Sequence, residues 1–355
     1  MDKTDRWKVR DGNEKDMEGI FSLRRNAFGE MEKDKLEPRF WRWQFLERPA
    51  GKALIHIVED KGKVVGHFAN LPRRFSFYGK AVHGTLSVDI MVHSDYRRRG
   101  IFQAMAEYAI HRLRGENGLF TMACLIRRET IQGFQKLGWE RMVELPVLVY
   151  PIRFRGIVSR YLHFLPLNFL IGGAAGLFYN LFFPRRKGDE SKEIVIEEIR
   201  NLDDRYESFW HKALSLHPIV GVRDRDYMTW RYLQHPTRTY TIYRAKEGGE
   251  MKGFIVLRKV DLLNFNSAII VDLLALDEGA LLALVEKGIQ HSSQEGADLI
   301  GMMVPKGHLY YKVLRGMGFL PSLKTFLLMI HCHEEGEGFF DPKAWYVNWG
   351  DTDII

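Results

Sequence analysis

The residues best suited to chemistry stand together in Val92-His93-Ser94-Asp95-Tyr96-Arg97-Arg98-Arg99-Gly100-Ile101-Phe102-Gln103-Ala104-Met105. Three consecutive arginines raise the local positive potential, and a glycine lets an anion approach the backbone closely. An apolar strand pattern runs into this turn, and helical periodicity leaves it, with Ile101, Met105, Tyr108, Ala109 and Arg112 on one face. A helix opening at Gly100 offers unpaired amides and the positive end of its dipole, so the turn predicts a cradle for an anion such as a phosphate. A solvated basic turn is the competing reading of the same residues.

The elements that would position this turn occur twice. Phe40-Trp41-Arg42-Trp43-Gln44-Phe45-Leu46-Glu47-Arg48-Pro49 is similar to Tyr227-Met228-Thr229-Trp230-Arg231-Tyr232-Leu233-Gln234-His235-Pro236, pairing Trp43 with Trp230. The register continues from Val65-Gly66 to Lys252-Gly253 and from Val88-Asp89-Ile90 to Val271-Asp272-Leu273. It ends with Phe134…Gly138-Trp139 matching Leu314…Gly318-Phe319. Ordered matches of this kind indicate duplication. In each copy a short helix stops at a proline and a hairpin follows (strands at 53–58 and 64–71, then 240–243 and 252–257). The first copy adds strands at 73–78 and 81–92 turning at Gly79-Lys80. A helix at 101–113, a strand at 119–126, a helix near 129–137 stopped by Gly138, and a strand at 142–150 complete the lobe. The fold class is α/β: two tandem lobes, each a mixed, partly antiparallel sheet with flanking helices. The expected organisation is a lobe at 1–152, a basic and apolar connecting helix at 153–190, a second lobe at 191–333 and a tail at 334–355.

The order strand, basic turn, helix resembles the GNAT superfamily of acyl-CoA-dependent N-acyltransferases. That family marks its coenzyme A pyrophosphate site with Arg/Gln-x-x-Gly-x-Gly/Ala, and Arg97-x-x-Gly100-x-Phe102 matches it except at Phe102. The resemblance implies that backbone groups of Ile90, Met91 and Val92 pair with the pantetheine arm, while Arg97, Arg98, Arg99, Gly100, Ile101 and Phe102 hold the pyrophosphate. Acetyl-CoA or another acyl-CoA is then the co-substrate, no metal is called for, and the acceptor is a small-molecule amine such as an amino sugar. The tyrosine that acts as general acid in many members is replaced here by Phe134. Two alternatives stay open: a tandem-lobe transferase using aminoacyl-tRNA, and a non-catalytic acyl-CoA-binding protein.

Asp89 is the acid nearest the coenzyme strand and the candidate catalytic base, because a carboxylate in an apolar strand needs a task or a partner. Its recurrence as Asp272, in a copy whose helix opens with Asp277-Glu278 rather than arginines, argues instead for a structural bond. His93, Tyr96 and Glu129 are lesser candidates. The tail carries Asp351 and Asp353 among aromatics, and either docks on the lobes or reaches the acceptor.

Composition bounds the rest. With 355 residues, 46% hydrophobic and 27% charged, the chain has material for two cores and is neither disordered nor a disulfide scaffold. Only Cys124 and Cys332 are present, so a reducing cytoplasm is expected. Residues 1–150 hold 27 Lys and Arg against 20 Asp and Glu, whereas 188–355 hold 19 against 25, so the positive field lies in the first half. No zinc-finger spacing, RRM signature or basic recognition helix accompanies it, so nucleic acid is not an expected partner. Residues 161–184 carry no charge and show an apolar stripe between basic flanks. Packing on the lobes, peripheral contact with the inner face of a membrane, and a span remain open for this segment, as does the oligomeric state.

Overall fold

The computed structural model describes residues 7–29, 33–113, 119–125, 128–159, 194–262, 265–333 and 339–353. The first copy runs β1 (Lys8–Asp11), α1 (Met17–Phe28), α2 (Pro38–Phe45), β2 (Leu54–Asp60), β3 (Lys63–Phe77), β4 (Lys80–Val92), α3 (Ile101–Leu113), β5 (Phe120–Leu125), α4 (Arg128–Gln135), β6 (Glu140–Pro151) and α5 (Phe154–Ser159). The second runs β7 (Val195–Ile199), α6 (Asp204–Ala213), β8 (Ile219–Gly221), α7 (Arg225–Met228), β9 (Thr241–Glu247), β10 (Glu250–Leu262), β11 (Phe265–Ala275), α8 (Glu278–Gln294), β12 (Leu299–Met303), α9 (Leu309–Gly316), β13 (Leu320–Cys332) and β14 (Trp345–Tyr346). The segment at 161–184 and the side chain of Glu129 lie outside the described residues. Among the described residues no helix is long and apolar enough to cross a membrane.

Turn chemistry sets the hairpins. Lys61-Gly62, Tyr78-Gly79 and Gly248-Gly249 all have positive φ at both positions, as two-residue hairpin turns of type I′ require. The second hairpin therefore turns one residue earlier than Gly79-Lys80. The expected break at Pro72 is absent, and β3 runs unbroken for 15 residues. Pro72 faces Thr85 of β4, while β2 has already ended opposite Asn70. The ring thus meets the one edge of β3 on which no ladder bond is needed.

Two compact units form, and neither is contiguous in sequence. The first gathers described residues of 1–142, 226–238 and 327–341; the second those of 143–225, 239–326 and 342–355. In the first, β4 pairs parallel with β5 over three residues, and β5 then pairs antiparallel with Leu327–Cys332 of β13. In the second, β11 pairs parallel with β12, which pairs antiparallel with Val147–Pro151 of β6. The strand at 142–150 therefore does not close the sheet of its own copy. Each copy's last strand completes the sheet of the other.

The first unit's core packs α3 through Ile101, Met105, Ala106 and Ala109 against Val58, Val65 and Phe68 of β2 and β3, Ala123 of β5 and Met329 of β13. Gly66 allows the close approach of α3, since a Cβ there would lie 2.9 Å from the Met105 sulfur. The repeat-equivalent Trp43 and Trp230 stack with centroids 4.5 Å apart. Each indole N–H donates to the other's backbone carbonyl, at 3.0 and 3.3 Å.

Candidate functional site

At the end of β4 the chain is pinned before it turns. The His93 amide donates to Val65 O at 2.9 Å, the Ser94 amide to Asn26 Oδ1 at 2.8 Å, and the Tyr96 hydroxyl to Asp60 Oδ2 at 2.6 Å. Arg98 and Gly100 then adopt φ of +62° and +81°. Left-handed residues alternating with ordinary ones swing successive N–H groups to one side, making a nest for an anion. Among the described residues no group accepts a hydrogen bond from the amides of Arg98, Arg99, Gly100, Ile101, Phe102 or Gln103. The four from Gly100 to Gln103 are the orphan donors at the start of α3, with the dipole's positive end behind them.

The nest opens on a cleft of about 330 Å³. Arg97, Arg98 and Lys136 line it as cations, Gly100 as bare backbone, and Val92, Ile101, Phe102 and Leu137 as apolar wall. Lys136 was not among the residues singled out from the sequence; its only sequence signal is its place just before the Leu137-Gly138 stop of α4. Of the expected residues, Arg97, Arg98, Gly100, Ile101, Phe102 and Val92 are brought together in this cleft. Arg99 instead lies over the Tyr96 ring, 5.0 Å from its centroid. Met91 is buried and Ile90 packs against the core.

Phe102 fits because of Gly133. A Cβ at Gly133 would come within 2.8 Å of the Phe102 ring, which also meets Phe134 edge-on at 5.3 Å. Phe134 is fully buried between Phe102 and Trp139, so this position contributes packing and no hydroxyl.

Beside the cleft the sheet is splayed. Pairing of β4 with β5 ends at Leu86 opposite Met122, yet β4 runs on to Val92 and β5 to Leu125. Asp89 lies in the part of β4 that β5 has left. Its Oδ1 accepts from Arg24 Nη1 at 2.8 Å and lies 3.7 Å from Lys35 Nζ. Burial alone would push this carboxyl up, but the Lys35 and Arg24 cations outweigh it and hold it well below the usual carboxylate range. A carboxylate so stabilised is a weak proton acceptor, which argues against Asp89 as general base.

The matching corner of the second unit is filled from within. Asp272 accepts from Arg223 Nε at 2.9 Å, and Arg223 also donates to Asp351 Oδ2 at 2.7 Å. The tail thus docks in the second unit, with Asp351 buried there. Leu273 and Ala275, the equivalents of Ile90 and Val92, have their backbone engaged by the hydroxyls of Tyr346 and Tyr310. Asp277 caps α8 by accepting from the Ala280 amide at 2.9 Å.

A family model for the acetyltransferase (GNAT) domain matches residues 8–142. No curated protein matches the sequence. Among solved structures, a GCN5-related N-acetyltransferase from Anabaena variabilis is similar with a TM-score of 0.64 at 12% identity, covering 93% of this chain and 73% of that one. An Enterococcus faecalis V583 protein of unknown function, described as a "Probable N-Acyltransferase", gives 0.63 at 12% identity, over 92% and 72%. A GCN5-related N-acetyltransferase from Kribbella flavida gives 0.57 at 13%, over 92% and 71%. At these identities the likeness is one of fold.

Proposed function

Since residues 8–142 make this chain a member of the GNAT superfamily of acetyltransferases, we propose that its first unit takes acetyl-CoA, or another acyl-CoA, as co-substrate and transfers the acyl group to an amine. The observation that carries this reading is the set of uncapped amides at residues 98–103 facing a cleft lined by Arg97, Arg98 and Lys136. Backbone donors preorganised at a helix N-terminus suit a diphosphate, and the three cations add charge-assisted contacts. Arg99 strengthens the same field. The free edge of β4 at residues 90–92 supplies the polar backbone that the amides of a pantetheine arm would pair with.

In the reaction a neutral amine attacks the thioester carbonyl, a C–N bond forms, the C–S bond breaks, and the coenzyme leaves as a thiolate. The amine gives up one proton and the sulfur takes one. Asp89, held as a carboxylate by two cations, is a poor recipient, and Phe134 has no proton to give. Solvent in the open splay is left to relay both. Phe134 is also what favours a second reading, an acyl-CoA-binding protein without turnover.

Calorimetry with coenzyme A tests the site. One site per chain is expected; Gly100→Glu places a carboxylate in the nest and abolishes binding, whereas Asp277→Ala leaves it unchanged. Two equal sites, or full binding by Gly100→Glu, would refute the assignment. Thiol release from acetyl-CoA across an amine library, amino sugars first, separates the readings: turnover with any amine excludes the non-catalytic one.

A further inference from the structure

A row of buried polar side chains crosses the first unit's sheet at the point where β4 and β5 part. Asn70 Nδ2 of β3 donates to Ser87 Oγ of β4 at 3.0 Å. Thr85 of β4 and Thr121 of β5 share a hydroxyl bond of 2.8 Å, and Thr121 Oγ1 lies 2.7 Å from Nε2 of His333, just past β13. Asn70, Thr85 and Thr121 are fully buried and Ser87 nearly so. Among the described residues, none donates a hydrogen bond to Asn70 Oδ1. The row lies on the face that carries the cleft. Along β3, Gly66, Phe68 and Asn70 alternate onto one side. Gly66 faces α3, and the Phe68 ring meets Phe134 of α4 at 6.4 Å.

The second unit shows that the fold needs none of these polar groups. Its ladders place Leu257 opposite Ile270 and Ala268 opposite Ile300, where the first unit has Asn70 opposite Ser87 and Thr85 opposite Thr121. The amide of Ile152 donates to Asp298 O, two residues before Ile300, just as the amide of His333 donates to Leu119 O, two residues before Thr121. All five positions are thus apolar in the second copy. Two residues beyond Thr121 and Ile300, Ala123 stands where β12 has Met302. Buried polar groups weaken a core unless they are paired. The inner end of the splay is nevertheless lined by smaller and more polar side chains in the copy that carries the anion turn, and by larger hydrocarbon ones in the copy that does not.

We propose that Asn70 and Ser87 select the acyl group: the donor carries a short hydroxyacyl chain, whose hydroxyl gives its proton to Asn70 Oδ1 and accepts one from Ser87. The Ser87 oxygen already accepts from Asn70, and its own proton remains to be donated. With the pantetheine arm on residues 90–92, the acyl chain continues along β4 towards Ser87, two residues or about 7 Å beyond Asp89. A hydroxyl on the third or fourth acyl carbon, with a hydrogen bond of about 2.8 Å, spans that distance. Ala123 leaves room beside it, and Thr85, Thr121 and His333 extend the polar floor across β5. This rests on the acyl-CoA reading above and narrows its donor.

Calorimetry of the full chain, without acceptor, tests the assignment with coenzyme A, butyryl-CoA, each enantiomer of 3-hydroxybutyryl-CoA, and 4-hydroxybutyryl-CoA. At least one hydroxyacyl thioester is expected to bind more than about tenfold tighter than butyryl-CoA, since a site built around a hydroxyl rejects the analogue that lacks it. Asn70→Leu brings that ratio below about threefold, while the affinity for coenzyme A stays within about threefold. Should Asn70→Leu not fold, the double variant Asn70→Leu with Ser87→Ile takes its place, because it installs the pair that the second unit already packs. Hydroxyacyl thioesters that bind no tighter than butyryl-CoA, or a preference that survives these variants, overturn the proposal. Failure of the wild type to bind coenzyme A at all is a different outcome, which removes the acyl-CoA reading and this proposal with it.

Discussion

Phe102 shows how one residue can look like a defect in a motif and prove to be half of a pair. In the sequence it stands where the family has Gly or Ala, and nothing nearby announces a compensation. The compensation is Gly133, 31 positions away, whose missing Cβ leaves room for the ring. Gly133→Ala should therefore cost about 1–3 kcal/mol by overpacking, although alanine is otherwise the better helix former by about 1 kcal/mol. In a Phe102→Ala background the same substitution should be neutral or stabilising. Urea unfolding of the four proteins in this cycle gives the coupling. An equal cost in both backgrounds would mean the ring does not fill that space. Asp89 teaches the same lesson: its place in an apolar strand was legible, but its partners Arg24 and Lys35 lie 65 and 54 positions upstream, and no local pattern pairs them.

At the scale of elements, the anion turn was readable because strand, basic turn and helix are consecutive and their signals local. Most strands and helices were readable for the same reason, through periodicity and turn residues. The exchange of β6 and β13 was not. Both strands carry a continuous buried run, which either sheet would accommodate, so the choice is made by tertiary packing that a single sequence does not encode locally. The exchange has a measurable consequence. A fragment of residues 1–142 ends before Val143 and lacks Leu327–Cys332, so β5 would keep only a three-residue parallel ladder and expose its other edge. Exposed edges of this kind template aggregation. The fragment should fail to give a cooperative thermal transition by circular dichroism and should aggregate at micromolar concentration, even though it holds the whole anion turn. A stable, monomeric 1–142 would show that β13 is dispensable to the first unit.

For the molecule as a whole, both units bury histidines without charge, and this fixes how stability responds to acid. Burial pushes His56 down to about 4, against the pull of Asp11, and pushes His217 and His308 down to about 3 and about 4. His67 is lowered by the same cause. Unfolded, each titrates near 6.5, so below that pH the unfolded chain binds protons that the folded chain refuses. Stability is then full above about pH 6.5 and falls as pH drops towards the folded values of 3 to 4. The slope approaches about 1.4 kcal/mol per pH unit for each histidine. A group with folded and unfolded values of about 4 and 6.5 loses about 2 kcal/mol between pH 7.5 and 5. Below pH 4 the carboxylates join in. Asp203, held down to about 2 by Arg205 first and by Arg244, loses its contribution between about pH 4 and 2. His308 probes the histidine part together with His217, whose Nδ1 lies 3.2 Å from the His308 Nε2. His308 Nδ1 caps α9 by accepting from the Tyr310 amide at 3.2 Å, and asparagine is an equally good cap that does not titrate. His308→Asn should thus leave stability at pH 7.5 within about 1 kcal/mol and reduce the loss between pH 7.5 and 5 by about 2 kcal/mol. Urea midpoints at the two pH values measure both quantities. A wild type equally stable at pH 7.5 and 5 would mean that these imidazoles are hydrated or paired in ways that let them charge in place.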